Sequence, residues 1–356
     1  MDGVGNIFAR WQGTHSSLPA VLTGSHTDAV PLAGRFDGVV GVLGGLEAIR
    51  ALQAAGHRPT RSVDLVMFTS EEPTRFGIGC VGSRIMAGTL DETRLAGFRD
   101  AEGLTLCEVA RSVGYSGDIE GARIDPAGYG AFVELHIEQG PLLEASGTPI
   151  GLVTAIAASA TLRVKLSGPG GHAGAVLMGE RRDPMLAAAD AILAADRVAR
   201  SSDSPDTVAT CGYVDVEPGA VNSIPREVEL RIDVRDTDGP RRDAILAEIR
   251  VDVEVSAARH RVGHTAEILN ADPPAQCDAA ILDAATGACD ESRISCVRMI
   301  SRAYHDSAIM ARVCPTAMIF IPCRDGISHR PDEYSSPEDI ASGVAVLAGT
   351  LARLAA

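Results

Sequence analysis

Residues 20–28 read AVLTGSHTD, an apolar run that leads directly into a histidine and an aspartate. Residues 20–25 predict a buried strand, because short apolar runs bounded by turn residues are typical of strands covered on both faces. The stretch from Asp37 to Ala55 predicts a helix. Three later runs predict further central strands: residues 63–69 (VDLVMFT), 131–137 (AFVELHI) and 317–322 (AMIFIP). This alternation of strands and helices predicts an α/β fold with a mostly parallel sheet.

The pattern changes near Ile156. Residues 161–167 and 229–233 alternate apolar and polar side chains, as expected for a sheet with one face in water. Two predicted helices, residues 183–200 and 241–258, lie beside these strands in the sequence. We therefore expect residues 157–273 to form an inserted, smaller α+β domain. Residues 1–156 and 274–356 would be the two parts of the larger domain.

Composition excludes several classes of partner. The chain has 356 residues, a hydrophobic fraction of 46%, a charged fraction of 22% and a formal net charge of -15. Nucleic acids and anionic membranes require a concentrated basic surface, and no Lys/Arg-rich run is present. The eight cysteines form no C-x-x-C pair, and no signal peptide or long apolar run is visible. The sequence therefore predicts a cytoplasmic protein with no nucleic-acid or membrane partner.

Metal-binding side chains follow the ends of the predicted strands. Four segments share this feature: residues 24–28 (GSHTD), 70–72 (SEE), 135–139 (LHIEQ) and 328–329 (SH). Because the carboxyl ends of parallel strands meet at one edge of a sheet, these segments should converge, and Asp37 at the start of the first helix can face the same crevice. Imidazoles and carboxylates suit divalent ions such as Zn²⁺ or Mn²⁺. The sequence predicts two ions, bridged by Asp37, with the ligands His26, Asp37, Glu72, His136 and His329.

Two further carboxylates have predicted roles beside this site. Glu71 would take a proton from the attacking water and return it to the leaving nitrogen, while its neighbour Glu72 binds metal. Asp28 would orient the imidazole of His26. Each residue alone has a plainer interpretation: adjacent glutamates are often a solvated loop, and Asp37 could simply cap a helix. The joint placement at several strand ends favours the metal site.

Other catalytic motifs are absent. The sequence contains no H-E-x-x-H, no G-x-x-x-x-G-K-[ST] and no G-x-S-x-G. Residues 168–173 (GPGGHA) match G-x-G-x-x-[GA], but the next predicted helix starts only at residue 183, too late to hold a phosphate. We therefore predict no dinucleotide site.

With these residues in place, the chain resembles the M20 metallopeptidase superfamily. Residues 71–76 (EEPTRF), 135–140 (LHIEQG) and 171–174 (GHAG) are similar to its amidase branch, which contains N-carbamoyl-L-amino-acid hydrolases, allantoate amidohydrolases and ureidoglycolate amidohydrolases. Residues 301–307 (SRAYHDS) and 322–329 (PCRDGISH) are similar to the ureidoglycolate subgroup of plants. Family members usually carry further residues ahead of Gly3.

The resemblance implies hydrolysis of the ureido group of ureidoglycolate to glyoxylate, ammonia and carbon dioxide. Two alternatives keep the chemistry and change the substrate to an N-carbamoyl-L-amino acid or allantoate. An alternative of another class is a non-catalytic binding protein on the same fold. That alternative predicts losses among the ligands, and none of the expected positions is lost.

The resemblance also implies a zinc-peptidase-like domain with an inserted lid or dimerisation domain, and therefore a homodimer. Plant ureidoglycolate enzymes use manganese, which makes Mn²⁺ the expected ion, with Zn²⁺ as the alternative. A small ureido carboxylate is the implied substrate, and it would contact Gln139, His172, Asn222, Arg235, Tyr304 and His305. His172 would also act in catalysis, in the active site of the neighbouring protomer.

Two of these roles have support from the residues themselves. Arg235 ends an alternating strand, where its guanidinium could grip a carboxylate in two-pronged fashion or could be a solvated edge charge. His172 lies among glycines that let the backbone approach a ligand closely, and it could donate to an oxyanion or be an ordinary turn histidine.

Overall fold

A computed structural model describes residues 1–356, and the chain divides into two compact units. The first combines Met1–Ile156 with Ala275–Ala356, and the second is Ala157–Pro274. The strands are β1 (Ile7–Trp11), β2 (Ala20–His26), β3 (Val63–Phe68), β4 (Tyr129–Ile137), β5 (Ile150–Ile156), β6 (Ala158–Ser167), β7 (Gly171–His172), β8 (Val208–Glu217), β9 (Ser223–Ile224), β10 (Glu227–Asp236), β11 (Gly263–Ala271), β12 (Ala275–Gln276), β13 (Cys296–Ser301) and β14 (Thr316–Ile321).

The helices lie between these strands in the sequence, and the last helix follows the last strand. They are α1 (Val39–Ala54), α2 (Val81–Met86), α3 (Glu92–Leu95), α4 (Leu106–Ser112), α5 (Leu142–Ser146), α6 (Pro184–Arg200), α7 (Gly239–His260), α8 (Ala279–Ser292), α9 (Asp306–Met310) and α10 (Pro337–Leu354). None of them is both long enough and apolar enough to cross a membrane.

The first unit is built on a mixed eight-stranded sheet. Its order is β1-β3-β2-β4-β14-β5-β12, and β13 also pairs with β5. The central neighbours β3, β2, β4 and β14 run parallel, whereas β1 and the β14–β5–β12 side pair antiparallel. Parallel strands need helical crossovers, which α1 and the segment after β3 provide. The α/β fold class predicted from the sequence is confirmed.

Strand β2 is closely packed against its neighbours, which fixes how its C-terminal end leaves the sheet. Every residue of β2 is buried, and so are those of β14. Gly24 in β2 has φ +147, and a Cβ there would lie 1.8 Å from the carbonyl oxygen of Val66. Only glycine allows this close approach, since any side chain would force the parallel strands apart. The next residues of the chain, Ser25 and His26, therefore emerge in a fixed orientation.

Several predicted elements agree closely with the structure. Helix α1 ends at Ala54, one residue before the predicted end, and Ser336 caps α10 by accepting a hydrogen bond from the backbone of Asp339. Pro337 occupies the first turn of α10, where its missing N–H group leaves no hydrogen bond unmade. Strand β5 and helix α8 were not predicted. Strand β5 is buried along almost its whole length, as are the central strands that were predicted.

The second unit is a four-stranded antiparallel sheet of order β11-β6-β10-β8, with α6 and α7 packed on one face. Strands β6 and β10 alternate buried and partly exposed residues along their length. Their buried side chains include Leu162, Val164, Leu230 and Ile232, each fully inaccessible. Burying a side chain of this size contributes about 1.5–3 kcal/mol, so this face of the sheet stabilises the unit.

Candidate metal centre

The chain leaves three strands of the first unit in a strained conformation. Ser70 follows β3 with φ 52, Gln139 follows β4 with φ 57, and His329, in the segment after β14, has φ 58. A non-glycine residue in the left-handed region costs about 1–3 kcal/mol and persists only where its surroundings impose it. Such strain clusters at functional sites. The strand ends therefore mark the edge of the sheet where chemistry is expected.

Asp37 lies at the middle of the side chains that converge on this edge. Its Oδ1 is 3.1 Å from Nε2 of His136 and 3.6 Å from Nε2 of His26. Its Oδ2 is 3.1 Å from Nε2 of His329, which is also 3.5 Å from Oε1 of Glu72. Two groups of possible ligands result, His26–Asp37–His136 and Asp37–Glu72–His329, each with ligand atoms within 4.8 Å of one another. Asp37 is common to both.

The hydrogen bonds of two imidazoles determine which nitrogen faces the cluster. Nδ1 of His136 is 2.9 Å from the carbonyl oxygen of Ile137, and Nδ1 of His26 is 3.0 Å from that of Asp28. A carbonyl oxygen only accepts, so each Nδ1 carries a proton, and in the neutral ring Nε2 presents a lone pair. The two Nε2 lone pairs and a carboxylate oxygen of Asp37 thus converge, and the lone pair on His136 also accepts a hydrogen bond of 3.2 Å from the backbone N–H of Gly38. Metal-binding histidines use this same arrangement, which a cation stabilises.

The charges of the cluster shift its pKa values. Burial alone would raise the pKa of Asp37, but the close contacts of its carboxylate with the imidazoles of His136, His26 and His329 outweigh it and hold that pKa well below its usual range. Burial lowers the pKa of the His136 imidazole, yet the hydrogen bond and charge of Asp37 raise it overall. The pKa of His329 is raised chiefly by its hydrogen bond to Asp37. Asp37 is therefore an anion at neutral pH.

Glu71 and Glu72 occupy different environments. Burial raises the pKa of Glu71 to about 7, and His26 opposes that rise. Its Oε2 lies 3.8 Å from Nε2 of His26, and its Oε1 accepts a hydrogen bond of 3.2 Å from Sγ of Cys80. Burial also raises the pKa of Glu72, whose charge faces His329 instead. A carboxyl that titrates near neutral pH can both accept and return a proton.

Asp28 contacts His26 differently from the expectation. Its carboxylate lies 3.7 Å from Nδ1 of His26, too far for a hydrogen bond, and the carbonyl oxygen of Asp28 takes that place at 3.0 Å. The two carboxylate oxygens instead accept hydrogen bonds from the backbone N–H groups of Glu71 and Glu72, at 3.1 and 3.0 Å. The side chain of Asp28 therefore fixes the turn that presents the two glutamates, and its backbone orients the imidazole.

Gln139 points its amide group at the cluster. Its Nε2 donates to Oδ2 of Asp37 at 2.7 Å and to Oγ of Ser328 at 3.2 Å, which uses both of its protons. Its Oε1 is buried and has no hydrogen-bond partner. The unpartnered group of this amide is therefore an acceptor.

Two buried residues lie behind the cluster: Glu134, which was not predicted from the sequence, and His305, which was predicted to contact substrate. Glu134 in β4 is fully buried, and accepts hydrogen bonds of 2.6 Å from the hydroxyl groups of Ser25 and Ser307. His305 is buried as well: its Nε2 is 2.9 Å from Oγ of Ser301, and its ring packs edge-on against His136 at 4.6 Å between centroids. One signal could have revealed Glu134, namely a charged residue inside the apolar run AFVELHI.

Tyr304 and His305, expected to contact substrate, differ in exposure. Tyr304 is half-buried, and the guanidinium of Arg84 lies 5.8 Å from its ring. His305 supports the ring of His136 from within the protein. His305 therefore packs against the cluster around Asp37 and does not belong to an exposed surface.

The remaining predicted residues lie in the second unit. His172 is exposed on β7, which pairs with β9, and Ala173 donates a backbone hydrogen bond of 2.9 Å to Asn222. Nδ1 of His172 accepts a hydrogen bond of 3.1 Å from the backbone N–H of Gly174, so the proton of the neutral ring is on Nε2. Arg235 in β10 pairs with Asp233, with 2.7 Å between Nε and Oδ1.

Comparison with known proteins identifies the family. The model of peptidase family M20/M25/M40 matches residues 22–353. The chain belongs to this family. M20 membership and the two groups of possible ligands together indicate that the protein uses divalent metal ions.

Several M20 relatives are similar over nearly the whole chain. Ureidoglycolate hydrolase of Arabidopsis thaliana is 50% identical over 99% of this chain and 76% of its own length. N-carbamoyl-L-amino acid amidohydrolase of Geobacillus stearothermophilus is 41% identical over 99% of this chain and 86% of its own length. The crystal structure of AtUAH in complex with glyoxylate has a TM-score of 0.90 at 49% identity, and covers 99% of this chain and 85% of that chain. These two named relatives are thus hydrolases of a ureido and a carbamoyl compound.

Proposed function

We propose that this protein is a metal-dependent hydrolase that cleaves the ureido group of ureidoglycolate. The observation that carries the proposal is the position of Asp37, shared by two groups of imidazole and carboxylate ligands. The substrate follows from the relatives named ureidoglycolate hydrolase, at 50% identity in both Arabidopsis thaliana and Oryza sativa.

The donor set fits two divalent ions. His26 and His136 would hold one, Glu72 and His329 the other, and Asp37 would bridge them. Two carboxylates among five ligands suit Mn²⁺, whereas the three imidazoles are equally acceptable to Zn²⁺. Bound there, such ions polarise a carbonyl group and acidify water. We propose Mn²⁺ as the working ion.

Glu71 is the proposed general base and acid. Its carboxylate lies beside His26 in a buried setting, which in the metal-free chain raises its pKa to about 7. Ionised Glu71 accepts a proton from the attacking water, and protonated Glu71 returns it to the leaving nitrogen. The Asp28 carboxylate keeps Glu71 in place by accepting a hydrogen bond from the backbone N–H group of Glu71.

The second unit would supply the substrate contacts. Nε2–H of His172 can donate to the oxyanion that forms on the ureido carbonyl. Arg235 would exchange its ion pair with Asp233 for the substrate carboxylate, and Asn222 would add a hydrogen bond. We propose that the protein is a homodimer through this unit and that His172 serves the partner's site. Gln139 and Tyr304 would complete the binding site, and His305 would act through His136.

The proposed reaction consumes one water. Water adds to the carbon of the ureido carbonyl. The bond between this carbon and the nitrogen that is attached to the glycolate part then breaks, giving hydroxyglycine and carbamate. Carbamate decays to ammonia and carbon dioxide. Hydroxyglycine loses a second ammonia to leave glyoxylate.

Side-by-side turnover tests the substrate. Protein supplied with Mn²⁺ is incubated separately with ureidoglycolate, an N-carbamoyl-L-amino acid and allantoate, and ammonia and glyoxylate are measured. We expect two molecules of ammonia per glyoxylate from ureidoglycolate. We also expect kcat/KM for ureidoglycolate to exceed that for the other two substrates at least about 100-fold, because a site that hydrogen-bonds one substrate discriminates against analogues that leave those groups unpaired. Absence of ammonia from ureidoglycolate would refute the substrate.

The second candidate function is hydrolysis of N-carbamoyl-L-amino acids. The relative at 41% identity favours it. Preferential turnover of that substrate in the same experiment would establish it. No turnover of any of the three, with metal bound, would favour a non-catalytic binding protein.

A further inference from the structure

Glu333 lies in the segment between His329 and α10, and its side chain is buried. Its Oε1 accepts hydrogen bonds from the backbone N–H groups of Phe36 and Asp37, at 2.9 and 3.1 Å. Its Oε2 accepts one from the hydroxyl of Ser328, at 2.8 Å. A single carboxylate therefore joins the loop that carries Asp37 to the loop that carries His329.

The protons around this carboxylate have one consistent arrangement. Gln139 has two amide protons, which go to Asp37 and Ser328. Ser328 has one proton, and its contact to Glu333 at 2.8 Å is shorter than its contact to Asp37 at 3.3 Å. Ionised Glu333 can only accept, so it takes the Ser328 proton. When the His329 ring is neutral, Oδ2 of Asp37 then receives one hydrogen bond, from Gln139, and keeps a lone pair for a cation.

A glycine makes room for Glu333. A Cβ at Gly34 would lie 2.3 Å from Oε1 and from Cβ of Glu333, closer than any non-bonded contact. The glycine thus lets the carboxylate reach the backbone of residues 36–37.

We propose that Glu333 is a positioning residue for the metal site: it holds Asp37 against His329 and withdraws the Ser328 proton from Asp37. The inference rests on the proposed function only in taking Asp37 and His329 as metal ligands. Residues that orient metal ligands in this way commonly change metal affinity by about 10–100-fold when altered.

Glu333→Gln separates positioning from simple structural support. The amide oxygen of the variant can still accept from the backbone of Phe36 and Asp37. Its NH₂ group, however, is a donor, so the Ser328 hydroxyl must turn and donate to Asp37. The extra hydrogen bond competes with a cation for Oδ2. Replacing Ser328 by Ala in the same chain removes that competitor.

The experiment measures Mn²⁺ dissociation constants by calorimetry, and the absorption of the Co²⁺-loaded protein, for the full chain and four variants. We expect Glu333→Gln to weaken Mn²⁺ binding about 10–100-fold and to alter the Co²⁺ spectrum. Glu333→Gln/Ser328→Ala should recover most of this loss, a non-additivity typical of residues in one network. Gly34→Ala should also weaken binding, because it displaces the carboxylate.

The fourth variant is a stability control. Asp64→Asn removes a buried carboxylate that pairs with Arg10, and we expect it to lower the unfolding temperature of the metal-free protein with Mn²⁺ affinity unchanged. If Glu333→Gln behaves like this control, Glu333 is merely structural and the inference is wrong. Unchanged Mn²⁺ affinity in Gly34→Ala would contradict it too, should Glu333→Gln fail to fold. Failure of the unaltered protein to bind Mn²⁺ would instead overturn the proposed function.

Discussion

Nε2 of His136 lies 3.1 Å from Oδ1 of Asp37, while Nδ1 of the same ring meets a backbone carbonyl oxygen. The hydrogen bond at Nδ1 therefore fixes the ring so that Nε2 faces the Asp37 carboxylate, which the imidazoles of His26 and His329 also approach. In the metal-free protein, a protonated ring can satisfy this geometry. A divalent cation satisfies it for all three rings at once.

Asp37→Asn should remove metal binding at both positions. The amide is uncharged and offers one acceptor oxygen, so it cannot bridge two cations. We expect Mn²⁺ affinity to fall by more than about 100-fold, beyond the range of residues that only orient ligands. Metal content after dialysis against Mn²⁺ checks this. One tightly bound ion remaining per chain would show that Asp37 is not shared.

Glu71→Gln and Glu72→Gln form a matched pair. Loss of a general acid–base group typically costs about 10²–10⁴ in rate, so Glu71→Gln should lose turnover on that scale while keeping both ions. Glu72→Gln should lose metal affinity first, and excess Mn²⁺ should restore part of its activity. Metal content and kcat measured on the same preparations separate the two. Equal metal loss in both variants would contradict the division of roles.

Metal affinity should depend on pH in a defined direction. Asp37 raises the pKa of His136 and His329, against the effect of burial, so both rings keep protons to higher pH than free imidazole. A cation must displace these protons, because only the neutral ring binds metal. Mn²⁺ affinity should therefore fall as the pH falls through these pKa values, and level off above them. Calorimetry in buffers of different ionisation enthalpy counts the released protons; His329→Gln should release fewer. No proton release near neutral pH would refute the argument.

The convergence of the proposed metal ligands could be predicted from the sequence because most of them stand at or after the end of a recognisable strand, or just ahead of a helix. His26, Glu72 and His136 come directly after apolar runs, and the direction of those strands fixes where they meet. Glu333 could not be predicted in this way. It stands in a short polar segment that resembles an exposed turn, and only the folded chain brings it to the backbone of Asp37.

Side-chain roles were harder to predict than positions. The sequence places Asp28 two residues after His26, but it cannot show that the backbone N–H groups of Glu71 and Glu72 donate to the Asp28 carboxylate. It places His305 beside Tyr304 but cannot show that the imidazole packs behind His136. Hydrogen-bond competition and burial are properties of the tertiary structure.

The proposed dimer predicts complementation between inactive chains. Glu71→Gln and His172→Ala are each expected to be inactive as homodimers. If His172 serves the partner's site, a mixed dimer contains one complete site, and random mixing of a two-fold dimer restores about a quarter of normal activity. The chains are mixed after reversible dissociation, and turnover is measured. Light scattering gives the oligomeric state, and an active monomer or an absence of complementation would remove the cross-subunit role.

The central claim is a dinuclear metal site that hydrolyses a ureido group. Metal-stripped protein is titrated with Mn²⁺, and ammonia release from ureidoglycolate is followed at each addition. We expect turnover to rise with added Mn²⁺ and to reach its plateau at about two equivalents per chain, as a bridging carboxylate with ligands on both sides requires. Undiminished turnover in the stripped protein, or no ammonia at any Mn²⁺ concentration, would contradict it.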